Sequence, residues 1–233
     1  MYFDSTYLIL VLPAVIFAMW ASTKVNSTYN KFSKQHNSKN ITAFQAARMV
    51  LDYNGLNDVT IERVIGNLTD HYDPKANIIR LSENVYSSTS TAAIGVACHE
   101  VGHAIQFSND YLPAKIRTAI VPVTNLGSRL ALPLILLGVL LSVFSPFLSN
   151  LIYIGIVCFA LSTVFQLVTL PTEFDASKRA IDSIEYNNIL VGDEVHGAKK
   201  VLNAAALTYV AALAVSLMQL LRLIVLFGGR RRS

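Results

Sequence analysis

The chain is short of charge. Only 15% of its 233 residues are Asp, Glu, Lys or Arg, where a soluble domain carries about a quarter. Apolar side chains, at 53%, fill the difference, which excludes an ordinary soluble globule and points to a membrane protein. Cysteine is scarce too. Cys98 and Cys158 are the only two, too few and too ill-spaced for a disulfide framework or a Cys-based metal site, and both read as small core residues. Acidic residues number 15 against 19 basic ones, a net charge of +4. The Lys and Arg are scattered, with no basic stripe interleaved with aromatics, so a nucleic-acid partner is excluded and anionic lipid headgroups account for the excess. The residues before the first apolar run hold Asp4 and no Lys or Arg, so the positive segment of a secretory signal is missing. Ala18 to Ser22 passes as a weak cleavage site, but Lys24, Lys31 and Lys34 follow directly, and an uncleaved anchor is expected.

Long hydrophobic runs, in contrast, are plentiful. Thr6 to Ala21, Leu130 to Leu148, Leu151 to Leu170 and Ala204 to Gly228 are each long enough to cross a bilayer. Ser149-Asn150 between the second and third implies a tight helical hairpin, with Pro146 near the turn where it costs least. Arg222 in the fourth run must snorkel or face a neighbouring helix. Ser22 to Asn40 is polar and reads as a linker. Thr42-Ala43-Phe44-Gln45 has the pattern of a capping box opening a helix to about Tyr53, stopped by Asn54-Gly55. Val59 to Ile65 suggests a short strand, Asp70 to Pro74 a turn and Asn77 to Leu81 a second strand.

The chemistry lies in His99-Glu100-Val101-Gly102-His103, within an apolar helical stretch from Ala92 to Phe107. On a helix, residues four apart lie on one face, so both imidazoles reach one metal ion, and Glu100 lies beside it. There Glu100 takes a proton from an activated water and passes it to a leaving amine. Buried in so apolar a helix, two His and a Glu are costly without partners, which favours a zinc site. A strand just upstream could pair along a free edge with an extended peptide, and Asn77 to Leu81 is the candidate edge.

The pair of His supplies two ligands, and a catalytic zinc normally takes a third. Positions 106 to 109 read Gln, Phe, Ser, Asn, so no third His follows at short spacing. Glu173, on a helix leaving the apolar hairpin, is the best candidate and Asp175 the runner-up; two residues apart, they cannot both face the metal. His196 and Tyr209 are candidates to donate to a developing oxyanion.

Asp70-His71-Tyr72-Asp73-Pro74, Arg80-Leu81-Ser82, Ala97 to Gln106, Glu173-Phe174-Asp175-Ala176-Ser177 and Leu202 to Ala211 occur in an order that resembles the bacterial YugP-type neutral zinc metallopeptidases of the membrane. The similarity runs from about Asp70 to Ala212. A more distant likeness is to the HtpX-like and CAAX-processing membrane proteases, in which H-E-x-x-H is followed by E-F-x-A-D and that Glu is the third zinc ligand. The likeness implies that role for Glu173. It departs at Ser177, which stands where the distant group has Asp.

The expectation is therefore a mainly α, polytopic membrane protein with a gluzincin-like catalytic unit and a small β element at the membrane face. Its parts are an anchor (1–22), a zincin-like region (23–129), a membrane hairpin (130–170), a helical segment with the third ligand (171–203) and a last membrane helix with a basic tail (204–233). The expected activity is zinc-dependent endopeptidase action on protein or peptide substrates at a lipid bilayer, with Zn²⁺ as cofactor, in a bacterial cell membrane. A zinc-binding scaffold or pseudopeptidase is the alternative. A transporter with the two His on an ion path is disfavoured by their polar flanks and long first loop. Lys24 to Arg129 carries 11 Lys/Arg and Glu173 to Asn203 four, so the positive-inside rule puts the site in the cytoplasm. Arg230, Arg231 and Arg232 argue the other way.

Overall fold

The computed structural model describes residues 5–66 and 69–228. Asp4 and the Arg230 to Arg232 tail, on which the orientation argument partly rests, lie outside the described residues. Helix α1 (Leu12–Phe32) follows a π-helical turn at Tyr7–Val11. Then come α2 (Ala43–Tyr53), β1 (Thr60–Val64), β2 (His71–Asp73), β3 (Ile78–Ser82), the single turn α3 (Glu83–Tyr86) and α4 (Thr91–Ser108). Three long helices complete the chain: α5 (Leu112–Leu141), α6 (Asn150–Tyr186) and α7 (Asp193–Gly228), with a 3₁₀ turn at Pro146–Ser149 before α6. The protein is mainly α and polytopic in character, with one three-stranded sheet. Among the described residues, four helical stretches are long and apolar enough to cross a membrane: Tyr7–Phe32, Leu112–Leu141, Pro146–Tyr186 and Asp193–Gly228.

The chain divides into two compact units. The apolar unit takes the residues up to Trp20, Ile116–Leu170 and Thr208 onward. Within it α5 and α6 meet where side chains vanish. A Cβ on Gly138 would fall 2.7 Å from the Ile152 amide, and one on Gly155 would fall 2.8 Å from the Ala131 carbonyl oxygen. Close approach through small residues is how helices associate in lipid, where hydrophobic exclusion supplies no drive. Thr163 and Ser216 share a hydrogen bond of 2.7 Å between α6 and α7. Arg222 stacks over the Tyr7 ring at 5.5 Å, so it faces a neighbouring helical turn.

The polar unit takes Ala21–Lys115 and Pro171–Leu207. The expected capping box forms at Thr42, whose hydroxyl accepts from the Gln45 amide while the Gln45 side chain accepts from the Thr42 N–H. Its core joins Ala47, Val50 and Leu51 of α2, Ile79 and Leu81 of β3, Ile94, Ala97 and Val101 of α4, and Ile184, Ile189, Ala198 and Leu202 beyond. All are nearly inaccessible to solvent. Ser90 caps α4 by accepting from the Ala93 amide.

Four local expectations change. The expected linker from Ser22 is helical as far as Phe32. Ala21, Val25, Tyr29 and Phe32 repeat at helical spacing, and Tyr29 and Phe32 pack with Ala92 and Val201, while Ser27 and Ser33 bond their hydroxyls to carbonyls three residues back. The expected turn at Asp70 to Pro74 is instead strand β2, followed by a turn over 74–77. The Asp73 carboxylate accepts from the Lys75 and Ala76 amides and caps that turn. The strand order is β1-β3-β2, so the Asn77 to Leu81 strand is central, hydrogen-bonded on both sides, and is not a free edge. Finally, α5 begins at Leu112, well before Leu130, and runs through Pro122 and Pro133.

Candidate metal centre

His99 and His103 lie on α4, one turn apart, with ring centroids 4.8 Å apart and ring planes at 83°. Glu173 enters from α6. Its Oε2 lies 3.2 Å from His99 Nε2 and 3.7 Å from His103 Nε2. One ligand atom from each of the three can be chosen so that all lie within 4.8 Å of one another, and Glu173 is only 2% exposed. The two helices come this close because α4 has no side chain at the crossing. A Cβ on Gly102 would lie 3.0 Å from the Ala176 carbonyl carbon and closer still to its oxygen.

The polar groups behind the cluster orient its imidazoles. Gln106, fully buried, donates from Nε2 to the Thr172 carbonyl at 2.7 Å and to Asp175 Oδ2 at 2.8 Å. Its Oε1 is therefore the acceptor 3.0 Å from His103 Nδ1, so that nitrogen donates and Nε2 carries the lone pair. Ser177 Oγ lies 3.1 Å from His99 Nδ1 and can accept in the same sense. Two imidazoles and a carboxylate are thereby brought together, with His99 Nε2 and His103 Nε2 both turned toward Glu173 Oε2. The N and O donors of this set, a pair of imidazoles and a buried carboxylate, suit a divalent zinc ion.

Glu100, buried on α4, accepts a hydrogen bond from the Tyr72 backbone N–H through Oε2 at 3.0 Å. Tyr72 sits on β2, the outer strand on that side of the sheet, and its ring packs against Phe107. Asp175 points elsewhere. Its Oδ2 accepts from Gln106 and, at 2.6 Å, from Arg179 Nε, and the Arg179 guanidinium lies over the Tyr111 ring. His196 is exposed in the first turns of α7, in a recess shared with Glu185, Asn188 and Lys199, none of them a member of the cluster. Tyr209 lies further along α7, in the apolar unit.

Gln106 and Arg179 are site residues that the sequence reading does not single out, while Ser177 enters it only as a departure from the distant proteases. Gln106 carried a usable signal. It follows His103 by three residues on an apolar helix, the spacing at which its side chain meets the imidazole.

Residues 7–228 match a family described as "Putative neutral zinc metallopeptidase". The chain belongs to this family. It is 46% identical over 225 residues, 97% of this chain and 98% of the relative, to a protein of Bacillus subtilis (strain 168) described as "Putative membrane protease YugP". No solved structure matches it. The family assignment agrees with the resemblance drawn from the Asp70 to Ala212 blocks.

Proposed function

We propose that the protein is a zinc-dependent endopeptidase of the bacterial cell membrane, in which His99, His103 and Glu173 hold Zn²⁺ and Glu100 is the general base and acid. The observation that carries this reading is the convergence of His99 Nε2, His103 Nε2 and Glu173 Oε2 on one point, with Glu100 one residue away on α4. Zinc, when bound, supplies Lewis acidity that acidifies water and polarises a peptide carbonyl. The chain's own residues do the rest. Gln106 and Ser177 hold the imidazoles with Nε2 forward. The Tyr72 N–H holds one oxygen of Glu100, leaving proton traffic to the other: Glu100 removes a proton from the attacking water and later delivers it to the leaving nitrogen. Asp175, engaged by Gln106 and Arg179, acts behind the ligands rather than as one of them. The substrate is an extended peptide, and β2 is the outer strand nearest Glu100 along which it would lie. The polar unit holds most of the chain's Lys and Arg, which supports a cytoplasmic active site.

The test is zinc content and casein-type proteolysis on detergent-purified wild type, Glu100→Gln and Glu173→Ala. Wild type is expected to hold about one zinc and to cleave, Glu100→Gln to keep zinc and lose cleavage, and Glu173→Ala to lose both. Zinc bound with no Glu100-dependent cleavage would transfer the assignment to a metal-binding scaffold.

A further inference from the structure

Apart from the His99–His103–Glu173 cluster, the polar unit contains a cavity of about 690 Å³ to which none of those three residues contributes. Its volume is that of a site for a single small molecule. Its walls combine two chemistries. Lys24 and Lys31 of α1 and Lys200 of α7, all exposed, contribute three cationic side chains to its lining, and Phe32, Phe174 and Leu207 contribute apolar surface. No acidic side chain lines it among the described residues. Lys31 Nζ lies 5.5 Å from the centroid of the Phe32 ring, so cationic and apolar parts are in direct contact. Three cationic side chains and no acidic one around an apolar hollow favour an anion with an apolar part as its occupant.

The three contributing segments share a position in the chain. Lys24 follows the first apolar run, Phe174 follows the run ending at Leu170, and Leu207 falls at the start of the last run. Each marks the place where a membrane-length apolar stretch meets polar sequence, the depth at which headgroups are found. We propose that this cavity binds one anionic phospholipid, its phosphate held among Lys24, Lys31 and Lys200 and the upper part of an acyl chain lying along Phe32, Phe174 and Leu207. A zwitterionic lipid is disfavoured, because its quaternary ammonium would meet three cations. The site is separate from the metal centre and does not depend on hydrolysis.

The test uses the full chain in detergent, titrated with dioleoylphosphatidylglycerol or dioleoylphosphatidylcholine and read by native mass spectrometry. One phosphatidylglycerol is expected to be retained more tightly than phosphatidylcholine. Each Lys→Gln change at 24, 31 or 200 is expected to weaken it about fivefold, and the triple variant about a hundredfold. Lys34→Gln, nearby but not lining the cavity, is expected to change nothing. Asn203→Trp fills the cavity from an exposed helix position and leaves all three charges, and it too is expected to lose the bound lipid. Equal retention of both lipids by wild type, or unchanged phosphatidylglycerol binding in the triple variant or in Asn203→Trp, would overturn the proposal. So would binding of a pentaglutamate peptide with no lipid selectivity, which would assign the cavity to an acidic peptide.

Discussion

Two glycines on α4 offer a controlled comparison. Replacing Gly102 by Ala places a Cβ 3.0 Å from the Ala176 carbonyl carbon and closer to its oxygen, both backbone atoms of α6. Ordinary C···O contacts lie near 3.3–3.6 Å, so the helices must part by something on the order of 0.5–1 Å. The same change at Gly95, two turns earlier, places the Cβ 3.4 Å from the Ala198 side chain, an acceptable contact. Both substitutions gain the same helix propensity, about 0.8–1.0 kcal/mol. The difference between them isolates the overpacking cost at the crossing, about 1–3 kcal/mol. In thermal unfolding of the purified protein, Gly102→Ala should therefore melt about 2–12 °C below Gly95→Ala. His103 adjoins Gly102, and Glu173 lies three residues before Ala176. A shift of that size exceeds the roughly 0.2 Å tolerance of metal–ligand distances, so Gly102→Ala should also lose at least tenfold in zinc affinity by chelator competition, while Gly95→Ala keeps it. Equal melting temperatures and equal zinc affinities in the two variants would refute the claim that the α4–α6 spacing is set at Gly102.

Glu100→Gln should lower peptide hydrolysis by about 10²–10⁴-fold with zinc content unchanged, measured by steady-state proteolysis and metal analysis on one preparation. Gln106→Leu removes the acceptor behind His103 and strips partners from Thr172 and Asp175; zinc affinity should fall about 10–100-fold, and a wild-type value would show that the imidazole needs no such partner. Ser177→Asp, which restores the residue of the distant proteases, should keep or tighten zinc binding, because a carboxylate accepts from His99 Nδ1 at least as well as a hydroxyl. Burial pushes the Cys98 thiol up to about 12, so iodoacetamide at pH 8 should modify Cys98 only after unfolding, as read by peptide mass mapping.

Much of this was legible in the chain itself. The deficit of charge and the long apolar runs determined a polytopic helical protein, because a continuous apolar run of about 20 residues satisfies its own backbone in lipid as a helix. The four-residue spacing of His99 and His103 put both imidazoles on one helix face, since that geometry is local to a single turn. Local chemistry also set the cap at Thr42. What depended on partners distant in sequence was not legible. The helical run to Phe32 rests on Ala92 and Val201, and the centrality of β3 on two strands pairing with it from opposite sides. Glu173 and Asp175 are interchangeable on local grounds, two acids two residues apart on one helix. Only the crossing of α4 and α6 at Gly102 turned one toward the imidazoles and the other toward Gln106 and Arg179. Direction around a helix is fixed by what packs against it, and that packing is a property of the fold rather than of either segment.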